Sequence, residues 1–186
     1  MITCSFGLKD KAKRFPQIRH QIKEAVSAGI LVFAAANNDG GHYGRTFPAN
    51  HGEGVFCIHA ATGEGNKASY NPTPLRKEAN FMVVGNCLES CWPSKVEANA
   101  MRYMSGTSSA TPVAVSIAAF MIGFVQQGVP GSSEWTHPPQ SCEGMKRIFD
   151  LLSEERDLYD WVNFPGIFDQ KDGTEILQMI ERRLDD

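Results

Sequence analysis

No apolar run in this 186-residue sequence approaches the roughly 18 to 20 residues that cross a bilayer, so no membrane is expected as a partner. The opening stretch, MITCSFGLKDKAKRF, has no continuous apolar segment of the kind a secretory signal needs. Neither charge sign dominates. Eighteen Lys and Arg against 21 Asp and Glu leave a formal charge of -3, which gives no reason to expect nucleic acid or an anionic surface as partner. Internal repeats and low-complexity tracts are absent. The five cysteines, Cys4, Cys57, Cys87, Cys91 and Cys142, are odd in number and scattered. No second Cys/His pair completes a zinc site with Cys87 and Cys91. Reduced, mostly buried thiols in an intracellular, cytoplasmic protein are the expectation.

What is present suits one globular α/β domain: 42% hydrophobic and 21% charged residues, with enough chain to bury a sizeable core. ITCSFG is a short β-prone segment ending at Gly7. From Pro16, the positions Ile18, Ile22, Ala25 and Val26 keep helical spacing up to Gly29. ILVFAAA (30–36) reads as a buried parallel strand, which completes a βαβ unit. Two more strands are expected at 54–61 and 79–85. The residues after Ser108 are small or apolar nearly all round, which marks a core helix. Residues 126–142 read as a loop or insertion. Residues 143–186 read as two amphipathic helices, one carrying Met145, Ile148, Phe149 and Leu152, the other Ile176, Leu177, Ile180 and Leu184. Asp172 and Glu175 suit the start of the last helix, and Arg182 and Arg183 its end.

The chemistry concentrates in SGTSSATP (105–112). Gly106 permits a tight turn, and Pro112 is tolerated in a first helical turn. Ser108 therefore belongs at a helix N-terminus, where free N–H groups and the dipole favour a developing oxyanion. A plain N-cap is the alternative use of serine at such a place. VFAAANNDG ends the buried strand with two amides. An asparagine there either aims its N–H at a carbonyl oxygen becoming negative or closes a polar turn.

Together these residues resemble the subtilisin-like serine proteases, the subtilases. SGTSSATP matches the family's nucleophile motif, Gly-Thr-Ser followed by a variable residue, Ala, Ser or Thr, and Pro. AAANNDG matches its oxyanion-asparagine motif, with Asn38 as the oxyanion residue and Asn37 where glycine is usual. CSFG matches the strand end that binds substrate backbone. The stretch FPANHGEGVFCIHAATGEGNKASYNP resembles the segment between the motifs, in the manner of intracellular fungal subtilase domains. The resemblance implies a three-layer α/β/α fold with a mainly parallel sheet. It implies a serine endopeptidase acting on polypeptides, with Ser108 as nucleophile and Asn38 as oxyanion donor. Ser5, Phe6 and Gly7 would pair with an extended substrate, and Ala35, Ala36 and Asn37 would wall a pocket. No acidic cluster matches the calcium sites of some subtilases, so neither metal nor other cofactor is expected.

The family's order is Asp, His, Ser, and both partners should precede the Asn motif. Only Asp10 and His20 stand there, neither in the family's Asp-Thr/Ser-Gly or His-Gly-Thr context. His20 reads as a solvated helix residue. His42, His51, His59 and His137 fall where the family has no catalytic histidine. The resemblance thus covers residues 1–125 as the C-terminal part of a catalytic domain, without its Asp and His segments. The chain by itself is expected to be inactive and marginally soluble, with the missing N-terminal half as its partner. A non-catalytic peptide-binding module that keeps the cleft is the alternative. An α/β-hydrolase elbow at GTSSA is disfavoured, because that fold needs an acid and then a late histidine after its serine.

Overall fold

Of the apolar run 30–36 read as a buried parallel strand, residues 31–36 lie inside the sheet of the computed structural model, none more than 3% exposed, whereas Ile30 is 39% exposed. The structure describes residues 1–9, 15–52, 54–93, 100–129 and 135–186. Asp10 and residues 130–134 of the expected loop lie outside the described residues. In chain order the elements are β1 (Ile2–Cys4), α1 (Pro16–Ser27), β2 (Val32–Ala35), β3 (Val55–Ala61), β4 (Phe81–Val84), β5 (Leu88–Cys91) and β6 (Met101–Met104). They continue with α2 (Thr107–Gly128), α3 (Cys142–Leu151), β7 (Ser153–Arg156), β8 (Tyr159–Val162), α4 (Phe164–Gln170) and α5 (Gly173–Asp185).

Six strands form one sheet in the order β1-β2-β3-β4-β8-β7. Every neighbouring pair is parallel except β7 with β8. The register sets Ala34 beside Cys57 and Met82 beside both His59 and Trp161. β5 and β6 form a separate antiparallel pair. This is the mainly parallel α/β architecture that the resemblance implied. Strand alternation sends Phe33, Ile58 and Phe81 into a core closed by α2, α3 and α5. Phe149 of α3 meets the rings of Phe33, Phe56 and Phe81 at 5.3 to 6.0 Å. Ala34 and Cys57 belong to a smaller cluster with Ala36 and Ala49.

Several expectations change. By length and composition the 22-residue α2 is apolar enough to cross a membrane. Thr107, Ser108, Thr111 and Ser116 punctuate its sequence and hide it from a search for continuous apolar runs. Its Ala110, Ala114, Ala118, Met121 and Val125 are fully buried in the core. The helix also runs three residues into the stretch read as loop. Pro112 sits in its second turn rather than its first, so the N–H that would have reached the Ser108 carbonyl is missing.

The tail is not purely helical. Between α3 and α5 it forms the β7–β8 hairpin and the short α4. The two-residue turn Asp157-Leu158 has φ of 54° and 68°. That is the pattern of a type I′ turn, which Asn-Gly normally announces and Asp-Leu does not. Of the cysteines only Cys57 is buried, and Cys87 and Cys91 are exposed. α1 buries none of its residues, and Ile18 on its apolar stripe is 46% exposed.

Candidate active site

Gly106 precedes α2 with φ of 155°, a backbone region that favours glycine. Its N–H donates to the Gly85 carbonyl at 2.9 Å, and its own carbonyl accepts from Ser109 and Ala110. A Cβ on Gly106 would lie 3.2 Å from Asn38 Nδ2. Gly106 takes the N-cap position, so Ser108 is the second helical residue and not the cap. Its backbone N–H is among the first-turn donors that a helix leaves without an internal acceptor, beside the positive end of a 22-residue helix.

The strand β2 delivers Asn38 to the same place. Asn38 Oδ1 accepts from the Thr107 N–H at 2.8 Å and from the Thr107 hydroxyl at 3.1 Å. Only an oxygen accepts from a backbone N–H, so the amide orientation is fixed and Nδ2 is its donor end. Asn37 braces this geometry from behind. Its Oδ1 accepts from the Asn38 N–H at 2.7 Å, and its Nδ2 donates to the Gly44 carbonyl at 3.1 Å.

A cleft of about 250 Å³ is lined by Gly7, Ala35, Asn37, Asn38 and Ser108, with Lys9, Asp39, Thr46 and Thr107. The structure thus brings together five of the residues singled out in the sequence. The other three lie elsewhere. Ser5 and Phe6 follow β1 as exposed chain outside the cleft lining. Ala36 is fully buried, and its carbonyl accepts from the Thr46 N–H and hydroxyl. Any Cβ at position 7 would overlap Thr46 Oγ1, so glycine suits the place where the segment after β1 passes Thr46. Beyond it, Leu8 and Phe47 exchange backbone hydrogen bonds at 2.8 and 3.0 Å, which ties that segment to the loop after β2.

Charge in the cleft is balanced. Lys9 Nζ lies 2.8 Å from Asp39 Oδ2. This hydrogen-bonded pairing holds the Asp39 carboxyl below its ordinary range and raises the Lys9 ammonium. No histidine lies among the described residues that line the cleft. His20 is exposed on α1. His59 is wholly buried, its Nδ1 3.2 Å from the Phe81 carbonyl oxygen, and burial with the nearby Arg45 drives its pKa down to about 3. His51 packs its ring edge against Phe47, and burial lowers its pKa. Among the described residues no group of three or more His, Cys, Asp or Glu is placed to hold a metal ion.

Chemically, the site presents a hydroxyl at a helix head beside an amide N–H and the Ser108 backbone N–H. That set receives negative charge on a carbonyl oxygen. Sequence reasoning missed Thr107, which lies inside the quoted motif but had no role until its bonds to Asn38 were visible. It also missed Lys9, Asp39 and Thr46, whose part in the cleft depends on distant segments meeting.

The model of the subtilase family matches residues 1–137. The subtilisin-like protease het-Q2 of Podospora anserina is 32% identical over 130 residues, covering 68% of this chain and 35% of that protein. Subtilisin-like protease 5 of Arthroderma otae is 33% identical over 116 residues, 62% of this chain and 27% of that one. The chain therefore spans about a third or less of the length of these curated relatives. Among solved structures, the PatG macrocyclase domain superposes with a TM-score of 0.69 at 20% identity, over 95% of this chain and 51% of its own. The S218A mutant of the protease domain of PatA gives 0.69 at 19% identity, over 90% and 58%. At such identities the likeness is one of fold.

Proposed function

On the footing that this chain belongs to the subtilase family, we propose that it carries the nucleophile and oxyanion side of a serine endopeptidase site acting on polypeptides. The observation that carries this reading is the lock between Asn38 and Thr107, which turns Asn38 Nδ2 into a donor beside Ser108. In the proposed reaction Ser108 Oγ bonds to the carbonyl carbon of the scissile peptide. The carbonyl π pair moves onto oxygen, and Asn38 Nδ2–H with the Ser108 N–H receives that charge. The exposed backbone at Ser5, Phe6 and Gly7 pairs with the substrate as an added strand.

The serine proton needs a base, and a histidine oriented by an acid supplies one in this family. No histidine stands in the cleft among the described residues, and the Asp39 carboxylate that lines it is paired with Lys9. We place the activity in an assembly where a segment bearing Asp-Thr/Ser-Gly and His-Gly-Thr motifs docks beside β1, the edge of the sheet next to the cleft-lining β2. An intracellular, reducing setting fits the five unpaired cysteines.

A fluorophosphonate probe tests this reading, because it labels only an activated serine. The chain alone should stay unlabelled, and a longer protein containing both motifs should be labelled at Ser108 and lose the label in Ser108→Ala. An unlabelled longer protein that still binds peptide would instead establish a non-catalytic binding module.

A further inference from the structure

Arg45 is a charged residue placed where charge is costly. Its side chain is only 5% exposed, and its Nε is buried without a hydrogen-bond partner. The other two nitrogens are both hydrogen-bonded. Nη1 donates to Glu78 Oε2 at 2.6 Å, and Nη2 donates to the Ala79 carbonyl at 3.0 Å and to Asn80 Oδ1 at 2.7 Å. An apolar side chain of similar volume would fill such a place at lower cost than a partly satisfied guanidinium. What a planar fork adds is direction: three acceptors on consecutive residues fix its position and its plane.

The residues on either side of Arg45 show what that direction serves. The Gly44 carbonyl accepts from Asn37 Nδ2. The Thr46 N–H and hydroxyl both donate to the Ala36 carbonyl, at 2.9 and 3.2 Å. Three successive residues thus hold positions 36 and 37 on one side and the head of β4 on the other. The far anchor is itself braced. Asn80 makes three further hydrogen bonds to Leu75 and Glu78, and its N–H donates to Asp160 Oδ2 of β8 at 2.7 Å. Asn38 is the next residue after this held pair, and Asn37 Oδ1 grips its N–H.

We propose that Arg45 is a positioning residue for the oxyanion amide. It clamps the loop after β2 to the head of β4, and through Asn37 it sets where Asn38 Nδ2 points. It touches neither substrate nor reacting atoms. The inference rests on the endopeptidase reading only for its catalytic consequence, since the clamp itself is a property of the free chain.

The test has two arms. In the ¹⁵N-labelled chain, Arg45→Met should move the side-chain amide resonances of Asn37 and Asn38 and speed exchange of the Thr107 N–H roughly tenfold or more. Amides in α5 should keep their protection, and Arg45→Lys should fall between. Unchanged Asn38 and Thr107 signals in a folded Arg45→Met chain would overturn the proposal. Should that variant not fold, Arg45→Lys with Asn37→Ala decides. Cutting the Asn37 link should make the lysine change silent at Asn38, and full additivity would sink the idea. In the longer protein, Arg45→Lys should lower kcat by about ten- to a hundredfold with KM within about twofold, below the 10² to 10³ that removing the donor itself costs. An unchanged kcat there would end the catalytic part of the proposal. A longer wild-type protein with no peptidase activity would fail the endopeptidase reading and leave the resonance arm to judge Arg45.

Discussion

Asn38 and Thr107, 69 residues apart in the chain, are joined by two hydrogen bonds that both end on Asn38 Oδ1. One end of the amide caps the first N–H of α2, and the other end, Nδ2, keeps its donors. A residue from a strand end thereby does the capping that a serine or aspartate at the helix start usually does. The two roles belong to different atoms, so substitution separates them.

Asn38→Asp keeps an acceptor for Thr107 and adds a negative charge at a helix N-terminus, which the dipole favours. Its stability should stay within about 1 kcal/mol of wild type, whereas Asn38→Ala should lose about 0.5 to 2 kcal/mol with the cap. In the longer protein both should lower kcat by at least about 10²-fold, a magnitude that comes from subtilisin. Urea unfolding beside peptidase kinetics reads both effects, and an active Asn38→Asp would refute the oxyanion role.

His59 predicts a pH dependence. Burial, and secondarily the charge of Arg45, depress its pKa from 6.5 to about 3 against a hydrogen bond to the Phe81 carbonyl. The unfolded chain takes up a proton below 6.5 and the folded chain does not until about 3, so stability is lost as pH falls through that window. The loss should reach roughly 2 to 3 kcal/mol near pH 4.5. Urea midpoints across that range should show it, and His59→Phe, which keeps a ring against Tyr159, should remove this part of the slope.

Gly106→Ala combines two costs: a φ that a side chain rarely adopts and a Cβ 3.2 Å from Asn38 Nδ2. The expected loss is about 1 to 3 kcal/mol, with slower fluorophosphonate labelling of Ser108 in the longer protein. Labelling at the wild-type rate would show that the turn tolerates a Cβ without moving the amide.

Phe149 is the point where α3 meets three sheet phenylalanines. Phe149→Ala should cost about 3 to 5 kcal/mol, and Phe149→Leu well under half of that. Equal losses from both would mean that ring contacts rather than buried volume set the stability of this core.

β2, β3 and β4 were legible because buried strands leave continuous apolar marks, and α2 because its residues are small or apolar nearly all round. Ser108 and Asn38 were legible through their motifs. The β7–β8 hairpin was not, since SEER is wholly polar, YDWV is only four residues long, and their turn lacks glycine and asparagine. Arg45 left no local signal at all. A basic residue in a glycine-rich loop reads as solvated, and only the arrival of residues 78–80 from a distant part of the chain shows that it is buried. The missed cleft residues Lys9, Asp39 and Thr46 share that cause.

β8 falls beyond the stretch that the family model matches, yet it hydrogen-bonds to β4 and its Asp160 holds the Asn80 N–H. The recognisable region and the cooperative unit therefore have different borders. A chain ended at residue 137 would keep every motif residue and turn β4 from an interior strand into an edge, with Phe81 and Met82 beside unpaired backbone groups. Such a fragment should gain a tendency to self-associate and lose its cooperative unfolding. The tail is a neighbour the sheet requires, and any shortening that preserves this protein has to respect it.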